Sequence, residues 1–216
     1  MAIAAGAIGA APAARAGETP MSFNVVSLDA PECGDKCPEV IVADGVIEES
    51  TPQAFVDFLV SASQTGRLNA VIYLNSPGGN VVASMELGKD FRKVRAVAIV
   101  SGVALQDGRL SPAPGQCLSA CVYALMGARR RVVPATSRVG LHRMSVYEPS
   151  DSAPHGDGLV EIGLADRHLV TYLARYAARM GVSPALVWRA ESLLPGVLDV
   201  LDRKEIARWR LASARL

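Results

Sequence analysis

No sign of charge prevails in this sequence: 22 Lys and Arg stand against 21 Asp and Glu, for a formal net charge of +1. Such a balance creates no global field to draw in nucleic acid or an anionic membrane, so neither is expected as a partner. The one concentrated run, Arg129, Arg130 and Arg131, reads as a solvated strand start. Beyond residue 20 no stretch reaches about 18 apolar residues without a charge, which excludes a spanning helix there. Internal repeats and long low-complexity tracts are absent over the same span. Histidine and cysteine are scarce, at 3 and 4 copies, so each one can be weighed singly.

What is present is enough apolar residue for a full core: half of the 216 positions are hydrophobic, which fits one domain over residues 21–216. Residues 1–20, MAIAAGAIGAAPAARAGETP, are small and apolar, and Ala14, Arg15 and Ala16 form the A-x-A ending that a signal peptidase cuts. No Lys or Arg precedes Arg15, so the usual positive n-region is missing. The segment is expected to be an export signal or a disordered tail. Export would make the protein periplasmic or secreted, and a tail would leave it cytoplasmic.

An oxidising compartment permits disulfides. Cys33, Cys37, Cys117 and Cys121 then allow three connectivities, within each C-x-x-x-C or across the two. Zinc ligation is a second reading, weakly matched by the spacing, and inert buried thiols are a third.

Strands are expected near 23–28, 40–46, 71–74, 96–100, 131–133 and 139–141, and helices over 51–63, 80–94, 159–180, from Ser183-Pro184 onward, and over 202–211. A Gly/Pro/Ser-rich loop separates the strand at 96–100 from the segment GQCLSAC. This alternation implies parallel strands joined by crossovers, an α/β fold whose ligands bind at strand ends. NSPGG and GQCLSAC both occupy such ends.

GQCLSAC is expected to open a further helix and sets Ser119 between Cys117 and Cys121. On a helix, residues four apart share a face while the serine points away from it. A hydroxyl needs a base, and His142, which ends the apolar stretch SRVGLH, is the natural candidate; His155 lies in a polar loop and His168 within a helix. Gly78 and Gly79 can bring the backbone close to a substrate. One of their amides together with that of Ala120 could form an oxyanion hole, each donor being worth about 10²- to 10³-fold in rate.

NSPGGNVVASMELGKDFRKV, GQCLSACVYALMGARRRVVPATSRVGLHRM and MGVSPALVWRAE, in this order and spacing, resemble the proteolytic subunit of the Clp protease within the ClpP/crotonase superfamily, especially its exported bacterial relatives. The likeness spans about residues 40–210. It implies a spiral of ββα units, a nucleophile at Ser119, a general base at His142, and an oxyanion and substrate-strand region at Gly78 and Gly79. After one inserted residue, the position of the family's acid is Glu191, with Asp199 or Asp202 as substitutes, or a dyad without an acid. The family has Met-Gly after its serine and commonly Gln-Pro after its histidine; here stand Ala120-Cys121 and Arg143-Met144. The resemblance further implies a peptide or protein substrate, no cofactor and no metal, and a homo-oligomer whose handle helix the 159–180 segment would supply. A ClpP-like module that only binds peptides or assembles is the alternative, and crotonase-type acyl-thioester chemistry is the third reading.

Overall fold

The computed structural model describes residues 19–28, 39–64, 69–106, 109–149 and 159–213. In chain order the elements are β1 (Ser22–Ser27), β2 (Glu39–Asp44), α1 (Thr51–Ser63), β3 (Val71–Asn75), α2 (Val81–Lys93), β4 (Val97–Gln106), β5 (Arg109–Pro114), β6 (Gln116–Leu118), α3 (Cys121–Gly127), β7 (Arg130–Val132), β8 (Arg138–Leu141), β9 (Ser145–Pro149), β10 (Leu159–Leu164), α4 (Arg167–Arg179), α5 (Ala185–Glu191), β11 (Asp199–Val200) and α6 (Arg203–Arg208).

Strands β2, β3, β4 and β7 run parallel and side by side, with β1 antiparallel on the outer edge of β2. Ile41, Ile72, Leu74, Ala98 and Val100 from these strands are fully buried, as their short apolar runs predict for a sheet covered on both faces. A second sheet has the order β11-β8-β6, with β6 and β8 parallel. The two sheets are stitched where Ser76 bridges to Cys117 and where the Ser76 amide donates to the Gln116 carbonyl at 2.8 Å.

Helices α1 and α2 start at or within one residue of the expected positions 51 and 80. Pro52 occupies the first turn of α1, whereas Thr51 caps no helix; its hydroxyl instead accepts from the Glu48 amide. Asn80 caps α2 by accepting from the Ala83 amide at 2.9 Å. Phe55 of α1 packs against Phe23 of β1 and edge-on against Phe91 of α2. α2 crosses α3 at Gly88 and Gly127, where a Cβ on either glycine would run into the other segment or the Tyr176 hydroxyl. That close crossing fixes the position of α3, and with it the turn that precedes it.

Four expectations are corrected. The glycine- and proline-rich stretch after residue 100 is a hairpin: β4 runs on to Gln106 and β5 returns antiparallel to it. The 159–180 segment is part strand, since β10 pairs with β9 before α4 begins, so a continuous handle helix does not exist. GQCLSAC does not open a helix: β6 carries Cys117, α3 begins at Cys121, and Ser119 lies in the turn between them. Arg131 is not a solvated strand start, because its guanidinium donates to the carbonyls of Met126, Ala128, Met180, Arg210 and Leu211. It thereby satisfies carbonyls left open where α3 and α4 end, while Arg129 and Arg130 remain exposed. Among the described residues, no helix is long and apolar enough to cross a membrane.

Candidate active site

Ser119 adopts φ 54, a left-handed conformation uncommon for a residue with a side chain. Such strain costs about 1–3 kcal/mol and persists only where its surroundings impose it. Here the Ser119 amide is tied to the Gly140 carbonyl at 2.9 Å, and its carbonyl accepts from the Val122 amide at 3.1 Å. The disulfide between Cys117 and Cys121 closes the same turn from strand to helix, with both residues fully buried. The serine is thus held in a tight strand-to-helix turn, a geometry that pushes a hydroxyl out toward a cleft. Sequence gave no local sign of it, since a leucine–serine pair has no intrinsic bias toward positive φ.

The same disulfide decides part of the cysteine question. Of the connectivities, the local Cys117–Cys121 pair forms, and a sulfur so engaged supplies neither a thiolate for zinc nor an inert thiol. Cys33 and Cys37 lie outside the described residues, as does His155.

The three expected strand-end segments do converge. A Cβ built on Gly78 would come within 2.8 Å of the Ser119 Cβ and the Leu118 carbonyl, and within 3.1 Å of the Ala120 amide. Gly78 and Gly79 both have positive φ, 114 and 134. Their roles separate. The Gly78 amide is taken by the Ser76 hydroxyl at 3.1 Å and its carbonyl by the Ile47 amide at 2.8 Å. The Gly79 amide, in an exposed residue, has no acceptor among the described residues, nor has that of Ala120, whose residue is 1% exposed. A buried backbone donor left open is rare, so the Ala120 amide next to Ser119 suits an anion, and the exposed Gly79 amide follows the glycine that touches the Ser119 turn.

His142 follows β8 directly as Ser119 follows β6, and β6 and β8 are neighbouring parallel strands in which Leu118 pairs with Gly140. The imidazole Nδ1 lies 2.6 Å from the Arg143 carbonyl. A carbonyl only accepts, so in the neutral ring the proton sits on Nδ1 and the lone pair on Nε2. Neither Nε2 nor the Ser119 hydroxyl has a partner among the described residues, and no hydrogen bond joins them here.

Glu191, the last residue of α5, comes to the same place from the far side. Its Oε1 accepts from the Met144 amide at 3.3 Å. Burial pushes its carboxyl above the usual range, against the opposing pull of that amide and of the charges on Arg143 and His142. It also helps raise the phenol of Tyr123, which burial alone already pushes up. Glu191 makes no hydrogen bond to the His142 ring. The substitutes for it are occupied: Asp199 pairs with Arg189 at 2.8 Å, and Asp202 caps α6 in a reciprocal box with Glu205. His168 is exposed on α4, away from these groups in the sequence and in its burial.

One residue that sequence reasoning passed over is Asn75, which sits just before SPGG. It donates to Asp44 at 2.8 Å and accepts from the Gln116 amide at 2.9 Å, binding β2, β3 and the strand that leads to Ser119. Its place in the quoted NSPGG stretch was the available signal. A surface groove of about 730 Å³ between α1 and α2, lined by Gln53, Val56, Val82 and Glu86, includes none of Ser119, His142 or Glu191. Among the described residues no cluster of three or more His, Cys, Asp or Glu could hold a metal ion.

No protein-family model matches the sequence, nor does any curated protein. Solved structures do. The 1510-N membrane-bound stomatin-specific protease matches as a serine-to-alanine mutant at 17% identity and TM-score 0.50, over 82% of this chain and 78% of that one. A lysine-to-alanine mutant of it in complex with a substrate peptide matches at 18% and TM-score 0.52, over 82% and 74%. ClpP1 from Listeria monocytogenes matches at 14% and TM-score 0.54, over 80% and 88%. At these identities likeness establishes the fold, and the fold of this chain is that of the ClpP-like serine proteases.

Proposed function

We propose that this protein is a serine peptidase working through Ser119, His142 and Glu191. The Ser119 Oγ attacks a peptide carbonyl carbon as its proton passes to Nε2 of His142, and the amides of Gly79 and Ala120 hold the resulting oxyanion. The C–N bond then breaks, the leaving amine takes the proton from Nε2, and water repeats the sequence on the acyl-enzyme. Glu191 acts on the imidazolium by charge, through the segment it fastens at Met144, since it does not touch the ring. The observation that carries this reading is the buried Ala120 amide without an acceptor next to a left-handed serine, at the end of a strand whose neighbour ends at a histidine with no Nε2 partner among the described residues. Open or loose hydrogen bonds are usual in such sites before substrate arrives.

The same looseness favours one alternative, a module that binds extended peptides without cleaving them. Treating the oxidised, folded protein with a fluorophosphonate probe separates the two. Labelling at Ser119 that vanishes in both Ser119→Ala and His142→Ala variants, each checked for folding, is the expected result; an unlabelled parent leaves the binding module. We further propose that the chain is exported, a reading supported by the buried disulfide, and that it works as a homo-oligomer, to which the exposed Trp188, Leu194, Leu198 and Val200 would contribute.

A further inference from the structure

Several arginines of this protein are exposed without a side-chain hydrogen bond among the described residues, Arg129 and Arg130 among them, and others are spent on specific partners. Arg131 and Arg92 donate to backbone carbonyls, Arg138 to Gln116, and Arg189 to Asp199. Arg143 does none of this. Its guanidinium makes no hydrogen bond or ion pair among the described residues, and its Nε is cut off from solvent without a partner. Half-buried, it follows His142 directly, and its charge is felt at Glu191.

The backbone that follows it is fixed. Its own carbonyl is taken by the His142 ring; the next amide, that of Met144, goes to Glu191, and the Met144 carbonyl accepts from Ala165 at 3.3 Å. A cation on a rigid segment, with its donors unspent, is prepared for a ligand and loses little freedom on binding one. The planar fork of a guanidinium matches a carboxylate bidentately. Leu118 pairs with Gly140, so Arg143, three residues on, stands about 10 Å along the strand direction from that pair. An extended peptide whose reacting carbonyl lies over Ser119 spans this in about three residues.

We propose that Arg143 is a specificity-determining residue that binds a carboxylate of the peptide substrate close to the bond over Ser119. This rests on the peptidase reading only in taking the ligand to be a peptide. The carboxylate is either an Asp or Glu side chain or the free C-terminus.

The test measures binding by fluorescence anisotropy to the Ser119→Ala variant, which cannot turn over. Four labelled peptides are used: an amidated hexapeptide with Glu or Gln beside its central bond, and the Gln peptide cut one residue beyond that bond, with either a free or an amidated C-terminus. A carboxylate peptide binds about tenfold tighter than its amide counterpart, the size of one hydrogen bond to a charged group. Which pair shows the preference identifies the source. Adding Arg143→Gln erases the ratio, and Arg143→Lys, which keeps the charge without the fork, retains part of it; a merely structural arginine would shift both members of a pair alike. Equal affinities for acid and amide, no binding of any peptide, or a ratio that survives Arg143→Gln overturns the assignment. Fluorophosphonate labelling of the parent keeps the two readings apart: labelling without a carboxylate preference sinks the Arg143 site alone, and a preference without labelling sinks hydrolysis and leaves the site standing.

Discussion

Replacing Gly78 by alanine puts one methyl group into the tightest part of the candidate site. The new Cβ would lie 2.8 Å from both the Ser119 Cβ and the Leu118 carbonyl, none of them the far end of a flexible side chain. Two costs follow. At φ 114 an L-residue is strained by about 1–3 kcal/mol. Relieving the overlap by moving backbone costs about 1–3 kcal/mol more. Gly181 supplies the control: its φ is 78, and a Cβ there meets nothing within 4 Å, so Gly181→Ala carries the conformational cost alone, about 1–2 kcal/mol. The difference between the two variants isolates the contact with the Ser119 turn. For a chain of this size each kcal/mol lowers Tm by about 2–4 °C, so Gly78→Ala should melt on the order of 10 °C below the parent and Gly181→Ala only a few degrees below. Thermal unfolding followed by circular dichroism reads the first effect. The rate of fluorophosphonate labelling reads the second, because a displacement of about 1 Å at a nucleophile can cost about 100-fold. Should Gly78→Ala melt with Gly181→Ala and label at the parent rate, the glycine loop does not press on the serine turn, and the convergence on which the site depends is refuted.

Other expected outcomes are simpler. Replacing both Cys117 and Cys121 with alanine should cost about 2 kcal/mol on loop-closure grounds, because a separation of 4 closes a small loop, yet slow Ser119 labelling by more than the stability loss accounts for; urea titration beside labelling kinetics checks this. Glu191→Gln should raise Tm at neutral pH while slowing labelling. The sign follows from burial, which holds the Glu191 carboxyl above its ordinary value: the fold favours the protonated form, so stability is full below the unfolded-state pKa and falls as pH rises through the raised one. The gain from Gln should therefore shrink as pH drops toward 4, and melting curves across that range decide it. Arg131→Met should destabilise the protein by about 3 kcal/mol, because it strands carbonyls of α3, α4 and the C-terminal segment in partly buried positions; a denaturant midpoint near that of the parent would contradict this.

Strand ends and glycines were legible because they are local. Apolar runs at 71–74 and 139–141 stop at polar residues, and NSPGG and His142 follow at once, so their places at the ends of parallel strands could be read directly. The hairpin of β4 and β5 was not legible, since Pro112 and Pro114 in an edge strand look the same as prolines in a loop. The 159–164 segment read as helix because it ran unbroken into a true helical period, and only pairing with β9 makes it a strand. Ser119 misled for a related reason. Two cysteines four apart suit one helix face, but they suit equally a disulfide that clips a strand to the next helix across a turn.

By itself, then, the order of residues placed the candidate side chains Ser119 and His142 and the glycines Gly78 and Gly79 after strand ends, because hydrophobic period and glycine placement act within a few neighbours. Tertiary structure alone decided which donors stay open. Among the described residues, the Gly78 amide is consumed by Ser76 while those of Gly79 and Ala120 have no acceptor, Asp199 and Asp202 are occupied while Glu191 meets the histidine segment at Met144, and Arg131 is spent on carbonyls while Arg143 has no partner. Each of these is a competition for one hydrogen bond among groups distant in sequence, and no local pattern encodes its winner.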